Sequence, residues 1–240
     1  MRILTVALLL FATLANAEPR TLRFSVVDSW AMPLARIENG RLTGGILFEL
    51  FTATAQKVGL QPEFRILPRA RVDQAQLKRS IDLRCYVAPA WTDRQFPEYR
   101  WSVPLLVQRD LLVSKTSMPG DLERLPKQTI GTVLGYHYPR LQPLLESGQL
   151  ARDDARNQEL VLRKLQAGRY RYAISNQFAL DWFNHDLPDS QRLRGVEVVE
   201  ETALACQVLD APDLPTESIL DALATLKDSG EIERILANYR

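Results

Sequence analysis

Between residues 22 and 87 the chain alternates between short stretches that read as strands and longer ones that read as helices, and this order restricts the fold more than any other feature. Leu22, Phe24 and Val26 alternate with polar neighbours as in a half-buried strand, which stops at Asp28-Ser29-Trp30. Gly44-Gly45 opens a run in which Ile46, Leu47, Leu50, Phe51, Ala53 and Val58 recur at helical spacing, and Gly59 ends it. Residues 63–67 read as a second strand, 71–78 as a second helix and 82–87 as a third strand. Strand, helix, strand, helix, strand predicts right-handed βαβ units and a mainly parallel sheet.

A second series follows Trp101-Ser102-Val103-Pro104. Strands are expected at 111–114, 128–134 and 170–175, and helices at 138–146, 159–166 and from 178 to 183, with Gly135 and Gly168 as stops. Two series of similar size predict two α/β lobes. The tail adds an apolar strand at 203–209 and then a helix that Thr216 is placed to cap, with Ile219, Leu220, Leu223 and Leu226 on its apolar face. Gly230 interrupts that face, and Ile232, Ile235, Leu236 and Tyr239 continue it. No repeat or low-complexity run divides these segments, so strands rather than a flexible tether are expected to join the lobes.

The first residues carry a different signal. Arg2, an apolar run through residues 3–14 broken only by Thr5 and Thr13, and Ala15-Asn16-Ala17 follow the pattern of a cleavable secretory signal peptide at 1–17. The run is too short to span a bilayer. The mature chain would then start at Glu18 in an oxidising compartment, most simply a bacterial periplasm. Cys85 and Cys206 are the only cysteines, and in an exported protein they permit one disulfide, closing a loop of about 120 residues worth roughly 4–5 kcal/mol at most. Two buried free thiols are the alternative. With 30 Lys+Arg against 29 Asp+Glu, nothing in the charge proposes nucleic acid or a polyanionic partner.

His137 and His185 are the only histidines, and no metal-ligand spacing, phosphate-binding glycine loop or Gly-x-Ser-x-Gly occurs, so neither metal, cofactor nor catalytic residue is expected. The stronger signal is arginine with aromatic residues after strands. Arg94 follows the third strand within Trp91-Thr92-Asp93-Arg94, and Arg69 and Arg71 follow the second just after Pro68. A guanidinium fork suits a carboxylate or phosphate, while Trp30, Tyr86 and Trp91 suit the walls of a pocket. His137, beside Gly135-Tyr136, falls at the end of a strand where α/β folds place ligands.

The order of these segments resembles the periplasmic solute-binding proteins of family 3, the amino-acid-binding type used by ABC importers. The residues that carry it are 22–34, Gly44-Gly45 through Gly59, and Ser80-Ile81-Asp82-Leu83. They continue with Thr92-Asp93-Arg94 and Trp101-Ser102-Val103-Pro104-Leu105, similar to Thr-x-x-Arg followed by Phe-Ser-x-Pro-Tyr, then with residues 131–136 and 223–239. The resemblance implies two Rossmann-like α/β lobes joined by two crossover strands (the type II periplasmic binding protein fold), lobe 1 being 18–112 plus 201–240 and lobe 2 being 113–200. It brings the strand of Cys206 beside that of Cys85.

It also implies a monomer that captures a small carboxylate-bearing ligand, an amino acid or related polar metabolite, between the lobes for an inner-membrane ABC permease or a sensor, and that is not an enzyme. Arg94 would grip the carboxylate, helped by Thr92 and the backbone near residues 87–89, with Arg71 nearby. Trp30 and Tyr86 would wall the pocket, and Tyr136 and His137 would face it from lobe 2. The sequence departs from the family where an Asp usually receives the ligand ammonium near the end of the second lobe 2 strand. Here Tyr172-Ala173-Ile174-Ser175-Asn176-Gln177 offers the neutral amide of Gln177, which leaves Asp28 as the candidate partner for a cation. Two alternatives stand beside this reading. One is a dehydratase-like enzyme on the same scaffold, which needs a cleft carboxylate that this stretch lacks. The other is a module that has lost its ligand, its cleft filled by Tyr86, Trp91 and Tyr136.

Overall fold

The computed structural model describes residues 20–92, 94–117 and 120–239, so the secretion signal expected at 1–17 lies outside the described residues. In chain order the elements are β1 (Thr21–Val27), β2 (Arg36–Glu38), β3 (Arg41–Gly44), α1 (Ile46–Lys57), β4 (Gln61–Leu67), α2 (Arg69–Leu77), β5 (Leu83–Val87), β6 (Tyr99–Trp101) and β7 (Leu106–Ser114). Then come β8 (Gln128–Val133), α3 (Gln142–Glu146), β9 (Leu150–Ala155), α4 (Gln158–Gln166), β10 (Tyr172–Asn176), α5 (Gln177–Asn184), β11 (Arg194–Leu209), α6 (Thr216–Asp228) and α7 (Glu231–Ala237).

The nine-stranded sheet has the order β4-β1-β5-β11-β7-β10-β8-β9, with β6 also pairing β11. Its two ends are parallel, β4-β1-β5 and β10-β8-β9, but its centre is antiparallel, because β7 and β11 run side by side in opposite directions from one lobe to the other. The parallel pairing expected of the series at 22–87 is present in β4-β1-β5, and the two crossover strands add the antiparallel centre. The 16 residues of β11 pair with β7 from Arg194 to Leu204, then with β5 and β6 from Ala205 to Leu209. Two α/β lobes joined by two crossover strands is therefore the observed architecture.

Each lobe has its own core. In the first, Phe24 stacks on Phe51 at 4.5 Å, and Leu22, Leu47 and Leu83 join Ile219, Leu223, Ile232 and Ile235 of the two C-terminal helices in one buried cluster. The tail thus returns to cover the first lobe, and each such buried side chain contributes roughly 1.5–3 kcal/mol. In the second lobe the strand period of two divides the apolar residues of β7: Leu111 and Val113 face α4 and α5, while Leu112 packs with Ile130, Leu141 and Leu150 on the other side.

Several expectations need revision in detail. Asn39 and Gly40, both at positive φ, make the turn of a β2–β3 hairpin that the sequence reading omits. The helix expected at 138–146 shrinks to a 3-10 turn at Pro139–Leu141 and the single turn of α3. β9 carries no strand signal in the sequence, since LARDDA has little apolar content. Thr216 does not cap α6; it is the first helical residue, and its hydroxyl donates to the Leu209 carbonyl at 2.9 Å. Gly131 is required by close approach, because a Cβ there would fall 2.2 Å from the Tyr170 ring, whose hydroxyl bonds the Val161 carbonyl at 2.7 Å.

Cys85 and Cys206 form a disulfide across the β5–β11 pair, which resolves the alternative in favour of the bridge. It closes a loop over a separation of 121 residues that contains the whole second lobe. Cys85→Ser/Cys206→Ser is expected to lower the unfolding free energy by about 2–4 kcal/mol, read from denaturant midpoints with and without reductant. The oxidised wild type should show no free thiol on unfolding, and equal stability of the two proteins would contradict the assignment.

Candidate functional site

The cleft between the lobes is lined where β5, β7, the start of α2 and the loop after β8 meet. Chain direction supplies its polar residues. On β7, Gln108 and Asp110 are two apart and share a face, whereas Arg109 points the other way and pairs with Glu201 of β11. On β5, Leu83, Cys85 and Val87 are buried in the first lobe and Arg84 and Tyr86 alternate with them; Tyr86 takes a left-handed φ of 58°. Gly135, at φ 74°, ends β8 and turns the chain into Tyr136, His137 and Tyr138. Arg152 pins that turn by donating to the carbonyls of Val133 at 2.7 Å and Tyr136 at 3.0 Å.

An inner cavity of ≈ 50 Å³ is lined by Trp30, Arg69, Tyr86, Trp91, Gln108, Asp110, Tyr136, His137 and Tyr138. It opens beside a wider outer cleft of ≈ 930 Å³ that shares Arg69, Trp91 and His137 and adds Asp28, Asp73, Arg84, Thr92 and Arg156. A hydrogen-bond relay crosses the inner cavity. The Tyr86 hydroxyl donates to the side-chain oxygen of Gln108, which fixes the amide so that its nitrogen donates to both Asp110 oxygens, at 2.9 and 3.0 Å. Among the described residues no cationic side chain pairs with Asp110. Burial first, and then the Glu200 carboxylate opposite it on β11, push its pKa up to about 6, against the lowering effect of the Gln108 bond. Burial also raises the Tyr86 phenol well above its ordinary value, so it stays a donor.

Several contacts among the described residues join the lobes, including Tyr136 with Ser29 and Trp30 and the Trp182 ring with that of Tyr239 at 5.9 Å. The Arg69 guanidinium, in the first turn of α2, lies 4.9 Å from the centre of the Tyr136 ring, and among the described residues no carboxylate pairs with it. Asp28 faces Arg156 at 3.8 Å across the outer cleft. Arg84 is engaged within the first lobe by Asp73 at 2.9 Å and Gln76 at 2.8 Å.

The structure brings together Trp30, Tyr86, Tyr136 and His137 in the inner cavity, and Asp28 and Thr92 in the outer one. The Thr92 hydroxyl donates to the Pro89 carbonyl at 2.9 Å. Arg94 is exposed on the segment between β5 and β6 and lines neither cavity; Arg71 is likewise exposed and bonds Gln74 on its own helix. The cleft guanidinium nearest the aromatic walls is Arg69, because α2 begins at residue 69 and directs its first turn at the second lobe. Gln177 lines neither cavity and donates to Asp181 at 2.6 Å. Its neighbour Asn176 caps α5 by accepting from the Ala179 amide at 2.8 Å.

The end of β10 is thus occupied with starting a helix, and the carboxylate comes instead from Asp110, paired with Asn176 in register on β7. The 172–177 stretch thus supplies no acid, as the sequence indicates, and the cleft carboxylate comes from the crossover strand β7. The signal for Asp110 was the Gln-x-Asp spacing just ahead of the apolar run at 111–114, which a strand starting at residue 106 places on one face.

No family model matches the sequence, and neither does any curated protein. Solved structures match in fold. An ancestral arginine-binding protein bound to arginine aligns with TM-score 0.71 at 20% identity, over 91% of this chain and 97% of its own. A histidine kinase sensor domain with similarity to periplasmic binding proteins aligns with TM-score 0.70 at 20% identity, over 92% and 96%. The Lactococcus lactis GlnP substrate binding domain 2, in an open conformation, aligns with TM-score 0.64 at 13% identity, over 92% and 96%. The fold is that of the two-lobed periplasmic binding proteins, and the cleft described above lies between the lobes of that fold.

Folded Asp110 holds its proton more tightly than the unfolded chain does. Stability therefore falls as pH rises through the interval from about 4 to 6, and the penalty is fully present above it. Asp110→Asn is expected to raise stability at pH 7.5 by roughly 1–3 kcal/mol and to give no gain near pH 4, measured by denaturant unfolding at both values. A variant less stable at both values would contradict this electrostatic account.

Proposed function

We propose that the protein is a solute receptor, exported to the periplasm, whose two lobes close on a small carboxylate-bearing ligand such as an amino acid or a related polar metabolite. The observation that carries this reading is Arg69, an arginine without a carboxylate partner among the described residues, at the junction of the inner cavity and the outer cleft and in contact with the opposite lobe. A guanidinium so placed offers parallel donors to a carboxylate, and the partial positive charge at the start of α2 adds to its pull. An anion bound at Arg69 would favour the arrangement in which Arg69 meets Tyr136 of the opposite lobe, which couples occupancy to closure.

The structures similar in fold include an arginine-binding protein and a histidine kinase sensor domain, which supports both an amino-acid class of ligand and delivery either to an ABC permease or to a sensor. In this role the protein acts as a monomer carrying one solute.

Thermal-shift screening against the proteinogenic amino acids and small organic acids, followed by calorimetry on the best binder, tests the reading. Arg69→Ala is expected to weaken that binder by about tenfold or more, and Arg94→Ala to leave it within about threefold. The reverse pattern would move the anion site to Arg94. A screen in which no solute shifts the melt would favour a cleft filled by Tyr86, Trp91 and Tyr136.

A second reading gains from Asp110. An elimination enzyme on this scaffold needs a general acid in the cleft, and a carboxyl group that titrates near 6 is suited to that work. Incubation with prephenate or arogenate under an absorbance assay separates the two: turnover abolished by Asp110→Asn establishes the enzyme, and none supports the receptor.

A further inference from the structure

We propose that Trp182 and Tyr239 form a latch between the lobes, a ring pair outside the solute cleft that sets how much of the protein is closed before any solute arrives. The latch is a property of the two lobes themselves; only its consequence for affinity rests on the solute-receptor reading above.

The pair is built from opposite lobes. Trp182 lies on α5 of the second lobe, Tyr239 follows α7 on the first, and their ring centres are 5.9 Å apart with planes inclined at 51°. Each ring is steadied by its own lobe. Tyr239 donates its hydroxyl to Glu49 in the first turn of α1, and the His185 ring, just past the end of α5, stacks on Trp182 at 6.1 Å and within 16° of parallel. One turn before Trp182, and so on the same side of the helix, Phe178 packs against the first-lobe core. Ala179 and Leu180 are the residues that bury α5 in its own lobe. A helix serving that lobe alone would carry polar side chains at 178 and 182; here both are large aromatic rings turned to the other lobe.

The contact is a seat rather than a core. Both rings are only half-buried, and a cavity of ≈ 360 Å³ lies beside Trp182, lined by Met32 of the first lobe and by Arg163, Phe183 and Leu187 of the second. A close-packed interior has no room of that size, so Trp182 can leave Tyr239 without unpacking either core. Phe178, Trp182, His185 and Tyr239 line neither the inner cavity nor the outer cleft, which separates the latch from the groups placed to meet a solute.

Spreading the lobes forfeits the ring contact and closing them restores it, so the pair favours the closed state whether or not a solute is bound. A ring pair of this kind shifts a two-state ratio by about two- to tenfold. In a solute receptor the apparent affinity scales with the fraction in the binding-competent form, so the latch strengthens every solute by a common factor without touching any of them.

The test measures the lobes directly, on the full mature protein with no solute added. Spin labels at Leu77→Cys on α2 and Leu160→Cys on α4, exposed positions on the first and second lobes, report the interlobe separation. Trp182→Ala and Tyr239→Ala, each checked for a cooperative melt, are expected to raise the ratio of open to closed molecules about two- to tenfold, the open form being longer by more than about 2 Å. The double variant should stay within about twofold of the larger single effect, because both changes remove the same contact. Trp182→Phe should remain near the wild type.

A Trp182 that merely supports its own lobe would lower the melt and leave the separation unchanged, which would overturn the proposal, as would effects of the two changes that multiply. If one variant fails to fold, the other, from the opposite lobe, decides. Loss of folding in both would place the rings in the folding core and overturn the latch as well. None of these outcomes bears on the Arg69 site, which the solute screen tests separately.

Discussion

Everything in the cleft depends on the antiparallel pairing of β7 with β11. These two strands run through both lobes, and their register is held by backbone bonds from Ser114 opposite Arg194 to Leu106 opposite Leu204. β7 carries Gln108 and Asp110 into the space between the lobes, and β11 sets Glu200 beside them. Because both strands are shared, a displacement of one lobe against the other bends this pair and moves the relay from Tyr86 through Gln108 to Asp110. The crossover pair and the site are built from the same residues.

The disulfide acts on the other end of the same framework. Cys85 sits between Arg84 and Tyr86, and its bridge to Cys206 ties β5 to β11 where β11 changes partner. The Cys206 amide also donates to the Ser102 hydroxyl at 2.9 Å, and the Ser102 amide to the Cys206 carbonyl at 2.9 Å, which brings in the segment after β6. Tyr86 leaves this anchored point at positive φ, a conformation a bulky residue adopts only when its surroundings hold it there. The hydroxyl bond to Gln108 and the edge contact with Trp30 are what the cleft receives for that local strain.

Much of the architecture was legible in sequence because its signals are local. The period of two in β1, the helical spacing and closing Gly59 of α1, and the Gly230 break between α6 and α7 needed no tertiary information. What failed was short or polar: the β2–β3 hairpin has strands of three and four residues around Asn39-Gly40, and β9 reads as LARDDA. The site was harder, since it depends on register. Arg94 and Arg69 both follow strands, and only the start of α2 at residue 69 decides which one meets Tyr136. Asp110 is legible as a cleft residue only through register, because the sheet sets it opposite Asn176 from the neighbouring strand. Each polar residue at the end of β10 already has a local task, Asn176 as a helix cap and Gln177 as a partner of Asp181.

The central claim is that a small carboxylate-bearing solute is held at Arg69 between the lobes, and a crystal structure with the tightest-binding solute tests it most directly. The account predicts the ligand carboxylate on the Arg69 guanidinium, with Tyr86 and Gln108 keeping the relay to Asp110 described above. A solute held by Arg94, or one seated in the cleft with no contact to Arg69, would contradict it.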